Sequence, residues 1–491
     1  MTLPANKPAF RALFAPSERV VLLLMGCALT CVVLSVLVGA LGALSYIPGI
    51  SAHLVPLGLS LVQLRPLHTT FASAWIFLGV TAGVYRYLFD TFGEPSASDM
   101  RRFRAQMVLW GLAGLGILVT LPFGVTSGRE YLGFHPAFSA MIAAGWILFA
   151  WTFFAKVARG FFARPVYVYM WTVGLLLFLW SFAEGHAYLL SSVRHQPVVD
   201  LQVQWKSCGT LVASFNQMVY GCLIYLGAKK SGDMSLGHSR SSFALFGIGV
   251  LNSFTNYAHH TYHLPQAHLI KWIAFSVSML EIVLLLVVLR EVASALQVRR
   301  RMYARGPGLC DGLVILSKRW NVFLLSLALI ISVPPWNALV HGTHVVMAHA
   351  MGSELALDSY ILIALFAYLL ASIFPKREVQ WGIIDADSAR RTAALMNLAL
   401  MGLVATLLAS GFATGVQRYL GHARPEWMDA IPFAFVVFGC TFAYFLLRLL
   451  AHWLPLFLDP ARHKALGWNS GIEHRAALLR ARRLPDPLES K

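Results

Sequence analysis

The stretch "VVLLLMGCALTCVVLSVLVGALGALSY" runs from Val20 to Tyr46 without one charged side chain. Runs of this kind recur along the whole chain. Most have about the 20 residues that an α-helix needs to cross the hydrocarbon of a bilayer. Composition agrees, because 58% of the 491 residues are hydrophobic and only 12% are charged. The chain therefore reads as an integral membrane protein, all-α and polytopic. Its formal charge of +17 does not point to nucleic acid, because Lys and Arg are spread through short loops instead of forming one face. Their natural partner is the anionic leaflet of the lipid bilayer.

Polar breaks between the runs place twelve transmembrane helices at about 20–46, 68–89, 105–126, 137–157, 166–190, 205–227, 242–262, 267–294, 312–333, 345–374, 393–417 and 430–455. The N-terminus carries Lys7, Arg11 and Arg19 like a signal peptide, but the apolar run continues to Tyr46 without a small-residue cleavage site, so it reads as a retained first span. Alternate loops are basic, among them "RRFR" at 101–104, Lys229 with Lys230, and "RRR" at 299–301. The positive-inside rule then puts both termini in the cytoplasm. Residues 1–455 form one transmembrane domain, and 456–491 form a basic, partly amphipathic tail suited to the inner membrane surface. The six cysteines mostly fall inside spans and show no CxxC spacing, so no disulfide framework is expected.

Histidine carries the chemical signal. "NYAHHTYHLPQAH", Asn256 to His268, holds four of the seventeen histidines. On the topology set by loop charge, His68, His186, the His259–His260 pair, His341, His344 and His349 all fall toward the outer side. A single interfacial imidazole is most often only tolerated at a wet boundary. An adjacent pair on one helix with single histidines at the same depth on two others is what a metal or heme site inside a bundle requires. The competing picture is a proton path through a transporter, for which Glu184, Glu281, Glu354 and Asp358 supply acids within the spans.

Four separated stretches resemble one family. "NYAHHTYHLPQAHLIKWIAFSVSMLEIVLL" is similar to the seventh and eighth spans of the catalytic subunit of bacterial nitric oxide reductases, members of the heme-copper oxidase superfamily. "RPLHTTFASAWIFLG" resembles the second span of that family, "HGTHVVMAHAMG" its tenth, and "GREYLGFH" its loop after the third. The resemblance implies a heme-copper oxidase subunit I-like bundle. It implies that His68 binds a low-spin heme b, that His349 is the proximal ligand of a high-spin heme b, and that His259 and His260 hold a non-heme iron or copper. Glu281 matches a catalytic acid near that centre. Glu130 matches a carboxylate that holds calcium between heme propionates.

Three positions depart from the family pattern. Where the family has His-x-His, this chain has His349-Ala350-Met351, so the second ligand of the low-spin heme is Met351, with His344 as the alternative. The sixth span, "QWKSCGTLVASFNQMVYG", lacks the third histidine of the non-heme metal and its nearby glutamate. Cys208, Asn216 or Gln217 on that span, or Glu184 or His186 from "FAEGHAYLL", are the candidates to complete the site. Gly133 stands where a second acid of the calcium motif is common.

The resemblance implies reduction of two NO to N2O and water in a bacterial cytoplasmic (inner) membrane, with the active site toward the periplasm. No CxxCH is present for covalent heme c, so electrons are expected from a small subunit carrying heme c or copper, or from a soluble cytochrome c or cupredoxin. The rivals are an oxygen reductase of the same superfamily, a non-catalytic heme- or NO-binding membrane protein, and a proton-coupled transporter without heme.

Overall fold

The computed structural model describes residues 13–255, 258, 267–302 and 308–464. Helix is the only regular secondary structure among them. Twelve helices are labelled in chain order: α1 Pro16–Leu44, α2 Leu61–Phe92, α3 Ala97–Thr120, α4 Pro136–Val157, α5 Val166–Gly185, α6 Pro197–Ser231, α7 Arg240–Thr255, α8 His268–Met302, α9 Leu309–Ser332, α10 His344–Ile373, α11 Asp387–Leu420 and α12 Ile431–Ala451. Eleven of the described helices are long and apolar enough to cross a membrane. The exception is α7, whose expected span, 242–262, continues beyond Thr255 into residues outside the description. His259 and His260 lie there too, as does the tail from residue 465.

Sequential neighbours pack in pairs: α1 with α2, α3 with α4, α5 with α6, α7 with α8 and α11 with α12. Helix α12 returns to α1 and closes the bundle, while α2, α6 and α10 touch one another at its centre. Burial matches this layout. In their most apolar windows α6 is 89% buried, α10 83% and α2 67%, against 22% for α3 and 17% for α12. The outer helices turn Leu112, Leu115, Trp151, Val437 and Tyr444 outward, as side chains do where the solvent is lipid. Lys464 pairs with Glu18, so both ends of the described chain meet at one end of the bundle.

Helix ends follow local chemistry. The expected sixth span, 205–227, is longer in the structure because Pro197 starts α6 at a position where its missing N–H costs nothing, and Gly232 stops it in a left-handed conformation at φ 82°. The expected tenth span is not a plain α-helix. Between His344–Met351 and Tyr360–Ile373 it passes through a π-helical segment, Gly352–Ser359. There the Ser359 hydroxyl donates to the Glu354 carbonyl at 2.7 Å, and Trp75 Nε1 of α2 donates to Ser359 Oγ at 3.0 Å. Such segments are rare and tend to sit at functional sites.

Where hydrocarbon surrounds the bundle, helices hold together through close packing and internal hydrogen bonds. Gly411 of α11 lies against the backbone of His344 and Val345, and Gly174 of α5 lies against the Ser214 carbonyl of α6. A β-carbon at Gly411 would collide with the Val345 backbone, so Gly411→Ala is expected to cost about 1–3 kcal/mol. Thermal unfolding in detergent measures this, with Gly26→Ala as control, because nothing lies within 4 Å of a β-carbon there.

Candidate functional site

Helices α1 and α2 together orient His68. Its Nδ1 donates to the Ser35 carbonyl at 2.7 Å, while Ser35 Oγ donates back to the His68 carbonyl at 3.1 Å. That bond fixes the tautomer, placing the proton on Nδ1 and leaving Nε2 with its lone pair free. Gly39 seats the ring, since a β-carbon there would stand 2.8 Å from Nδ1 and 2.9 Å from Cε1. The sequence thus delivers a rigid, unprotonated imidazole nitrogen, which is what an axial iron ligand needs.

On α10, His344 Nδ1 lies 2.8 Å from Ser410 Oγ of α11. His349 is different, because its Nδ1 is buried without any hydrogen-bond partner. Leaving such a nitrogen unpaired carries a desolvation cost, and an imidazole in that state fits a bound group better than plain packing. Met351 packs against the core two residues further on. Two residues are about 200° apart on a helix, so His349 and Met351 face opposite sides of α10.

A polar knot joins α6, α7 and α8. Glu281, 6% exposed, accepts a hydrogen bond from Asn252 Nδ2, and Ser278 Oγ donates to Asn252 Oδ1 at 2.8 Å. Glu281 Oε1 turns toward Gly249, whose missing β-carbon leaves room for the Gln217 amide. Asn252 precedes His259 by seven residues in the chain.

The loop at 124–135, which carries "GREYLGFH", forms the other wall. Tyr131 adopts φ 58°, the one left-handed non-glycine residue among those described. Such a conformation costs about 1–2 kcal/mol and persists only where surrounding contacts impose it. Glu354 of the π segment is near enough for its charge to act on the Tyr131 phenol. The Glu354 charge and burial hold the Tyr131 phenol well above the ordinary tyrosine range, so it stays a donor. Next to it, both Glu130 oxygens face Arg65 Nη2, at 2.9 and 3.1 Å. Arg129 bonds Asp200 at 2.9 Å and covers the Tyr188 ring.

The candidates for a third non-heme ligand separate. Cys208 donates its S–H to the Glu130 carbonyl at 3.8 Å, Glu184 pairs with Lys206, and His186 Nδ1 bonds the Phe182 carbonyl of its own helix at 2.6 Å. Among the described residues, no three His, Cys, Asp or Glu side chains converge as a metal site. The roles of Asn252, Ser278, Tyr131 and Ser35 were not visible in the sequence. A polar side chain in an apolar run is the signal that could have found the first two. Among α2, α3, α4 and α5 lies an apolar cavity of about 140 Å³ lined by Phe71, Phe77, Trp110, Trp146 and Phe178.

Comparison with known proteins places this geometry. The family described as Cytochrome C and Quinol oxidase polypeptide I matches residues 19–446. No curated protein matches the chain. A heme-copper terminal oxidase dimer, solved by cryo-electron microscopy, has a similar fold with a TM-score of 0.70 at 13% identity, over 90% of this chain and 84% of that one.

Removing the Asn252 amide takes from the buried Glu281 carboxyl its donor and from the Ser278 hydroxyl one acceptor. Asn252→Leu is therefore expected to destabilise the protein by about 1–3 kcal/mol, and Ser278→Ala by less. Thermal melts of the two variants in the same detergent give the comparison.

Proposed function

Because the chain belongs to the cytochrome c and quinol oxidase polypeptide I family, we propose that its two α10 ligands and His68 serve a heme pair, and that NO is its substrate. In this reading His68 and Met351 hold a low-spin heme b, His349 holds a high-spin heme b, and His259 with His260 holds a non-heme iron or copper. The fixed tautomer of His68 and the unpartnered Nδ1 of His349 fit those roles. His344, whose Nδ1 meets Ser410 Oγ, is the alternative to Met351. When bound, these groups supply one-electron chemistry, and the protein supplies ligation, spacing and protons.

The observation that carries NO over O2 is Glu281, a buried carboxyl on α8 between α6 and α7, on a chain whose α6 offers no third histidine. The overall reaction, 2 NO + 2 H⁺ + 2 e⁻ → N2O + H2O, needs protons inside an apolar bundle. Asn252 holds Glu281 Oε2 as an acceptor, so Oε1 is the oxygen that carries and releases the proton. NO is a small apolar gas, and the aromatic cavity among α2, α3, α4 and α5 suits its passage from lipid. Cys208, Glu184 and His186 remain candidates to complete the non-heme site. Glu130 fits calcium poorly, because its carboxylate is taken by Arg65 and Gly133 brings no second acid.

The proposed setting is the bacterial inner membrane, with both termini cytoplasmic and the 124–135 loop on the periplasmic side. Electrons come from a small partner carrying heme c or copper, or from a soluble cytochrome c or cupredoxin. Reduction of O2 is the second reading, favoured by the fold shared with a terminal oxidase.

Purified protein supplied with an artificial electron donor is expected to consume NO faster than O2, and the reverse order of rates would assign it to oxygen reduction. His259→Ala is expected to abolish turnover while leaving the low-spin heme spectrum intact. Met351→Leu is expected to change the low-spin band and its midpoint potential, read by spectroelectrochemistry; an unchanged band would return Met351 to packing.

A further inference from the structure

Helix α10 carries His349 and Met351 in its first half and is anchored by its second. There Ile361, Leu362, Ala364, Leu365 and Phe366 are fully buried, so close-packed neighbours fix how that half is turned. The π segment Gly352–Ser359 lies between the two halves. Its i→i+5 bonds enclose one residue more than the i→i+4 bonds of an α-helix. One residue corresponds to about 100° of rotation. Closing the segment to plain α geometry would therefore turn His344–Met351 by about that angle against the anchored half, and His349 and Met351 would leave the directions they now take.

Side chains hold the segment open. A serine in an α-helix reaches a carbonyl three or four residues back. The Ser359 hydroxyl instead donates to the Glu354 carbonyl, five residues back, at 2.7 Å, which is the reach of the π turn. The same hydroxyl accepts from Trp75 Nε1 of α2 at 3.0 Å, so its orientation is set from outside the helix. Trp75 is itself 2% exposed, and its ring meets that of Phe366 edge-on at 5.2 Å, which ties the donor to the anchored half. At the other end of the segment, Leu324 of α9 fills the space beside Gly352, where a β-carbon would stand 2.7 Å from Leu324 Cδ2.

We infer that Ser359 and Trp75 are positioning residues: they lock the π turn and so set the rotation at which α10 presents His349 and Met351. They act through the backbone of α10. The inference rests on those two side chains being heme ligands, as proposed above, and it holds whichever gas is reduced.

The test uses purified full-length holoprotein in detergent, read by spectroelectrochemistry, by heme transfer to excess apomyoglobin and by thermal melting. Ser359→Ala removes the hydroxyl, and Trp75→Phe removes its donor while keeping a ring. Each is expected to release heme at least about tenfold faster than wild type. Each is also expected to lower the midpoint potential of the low-spin band, because a thioether ligand raises it. Ser359→Thr, which keeps the hydroxyl, should hold the wild-type potential and transfer rate. Ser214→Ala is the control for general loosening: it removes a 2.7 Å bond from α6 to the Gly174 carbonyl of α5 and should lower the melting temperature without moving the potential. Wild-type potential and transfer rate in Ser359→Ala and Trp75→Phe overturn the inference. So does a loss in Ser359→Thr equal to that in Ser359→Ala, and so does an equal shift of potential in Ser214→Ala. Met351→Leu and His349→Ala decide the reading beneath it. If neither alters a heme band, the ligand assignment falls and the inference falls with it; if they do and Ser359→Ala does not, the positioning role falls alone.

Discussion

Hydrocarbon forms no hydrogen bonds, and that single property governs this molecule from its backbone to its chemistry. It forces the chain into helices that satisfy their own amides. It also removes water as the partner of last resort for any polar side chain in the bundle. The few polar groups that remain inside are therefore informative. Some are bound by a named neighbour, as Ser35 binds His68 and Asn252 binds Glu281, and others are buried without a hydrogen-bond partner, as are His349 Nδ1 and Asp358 Oδ1.

The same constraint explains which parts of the architecture could be read from sequence. Span positions were legible because length and hydropathy are local properties, and helices α1, α4 and α9 lie within a few residues of expectation. The length of α6 was less so, since its ends depend on Pro197 and Gly232 and not on hydropathy. The π segment was invisible. It arises from a side-chain bond between Ser359 and Glu354 and a third helix that supplies Trp75, and no spacing along α10 announces either.

At the site, residue type was legible and partnership was not. His68 and His349 stand out by chemistry alone, but the bond that frees Nε2 of His68 comes from a serine 33 positions earlier on α1. Glu130 stands in sequence only as a match to the calcium motif of the family it resembles. Folding brings Arg65 to it across 65 positions, a partner no local spacing announces. Glu354 and Asp358 read as signs of a transporter while the bundle was only a list of spans. In the folded bundle α10 touches both α2 and α6, and the same acids lie on the helix that carries His349 and Met351.

His349 and Met351 project from opposite sides of one rod that is packed on nearly every face. Two iron centres gripped in this way would be separated by little more than the girth of a single helix. Their separation could not drift as peripheral helices breathe in the lipid. Electron tunnelling falls off steeply with distance, so the exchange between them would keep one pace whatever partner docks or whatever thickness the surrounding bilayer takes.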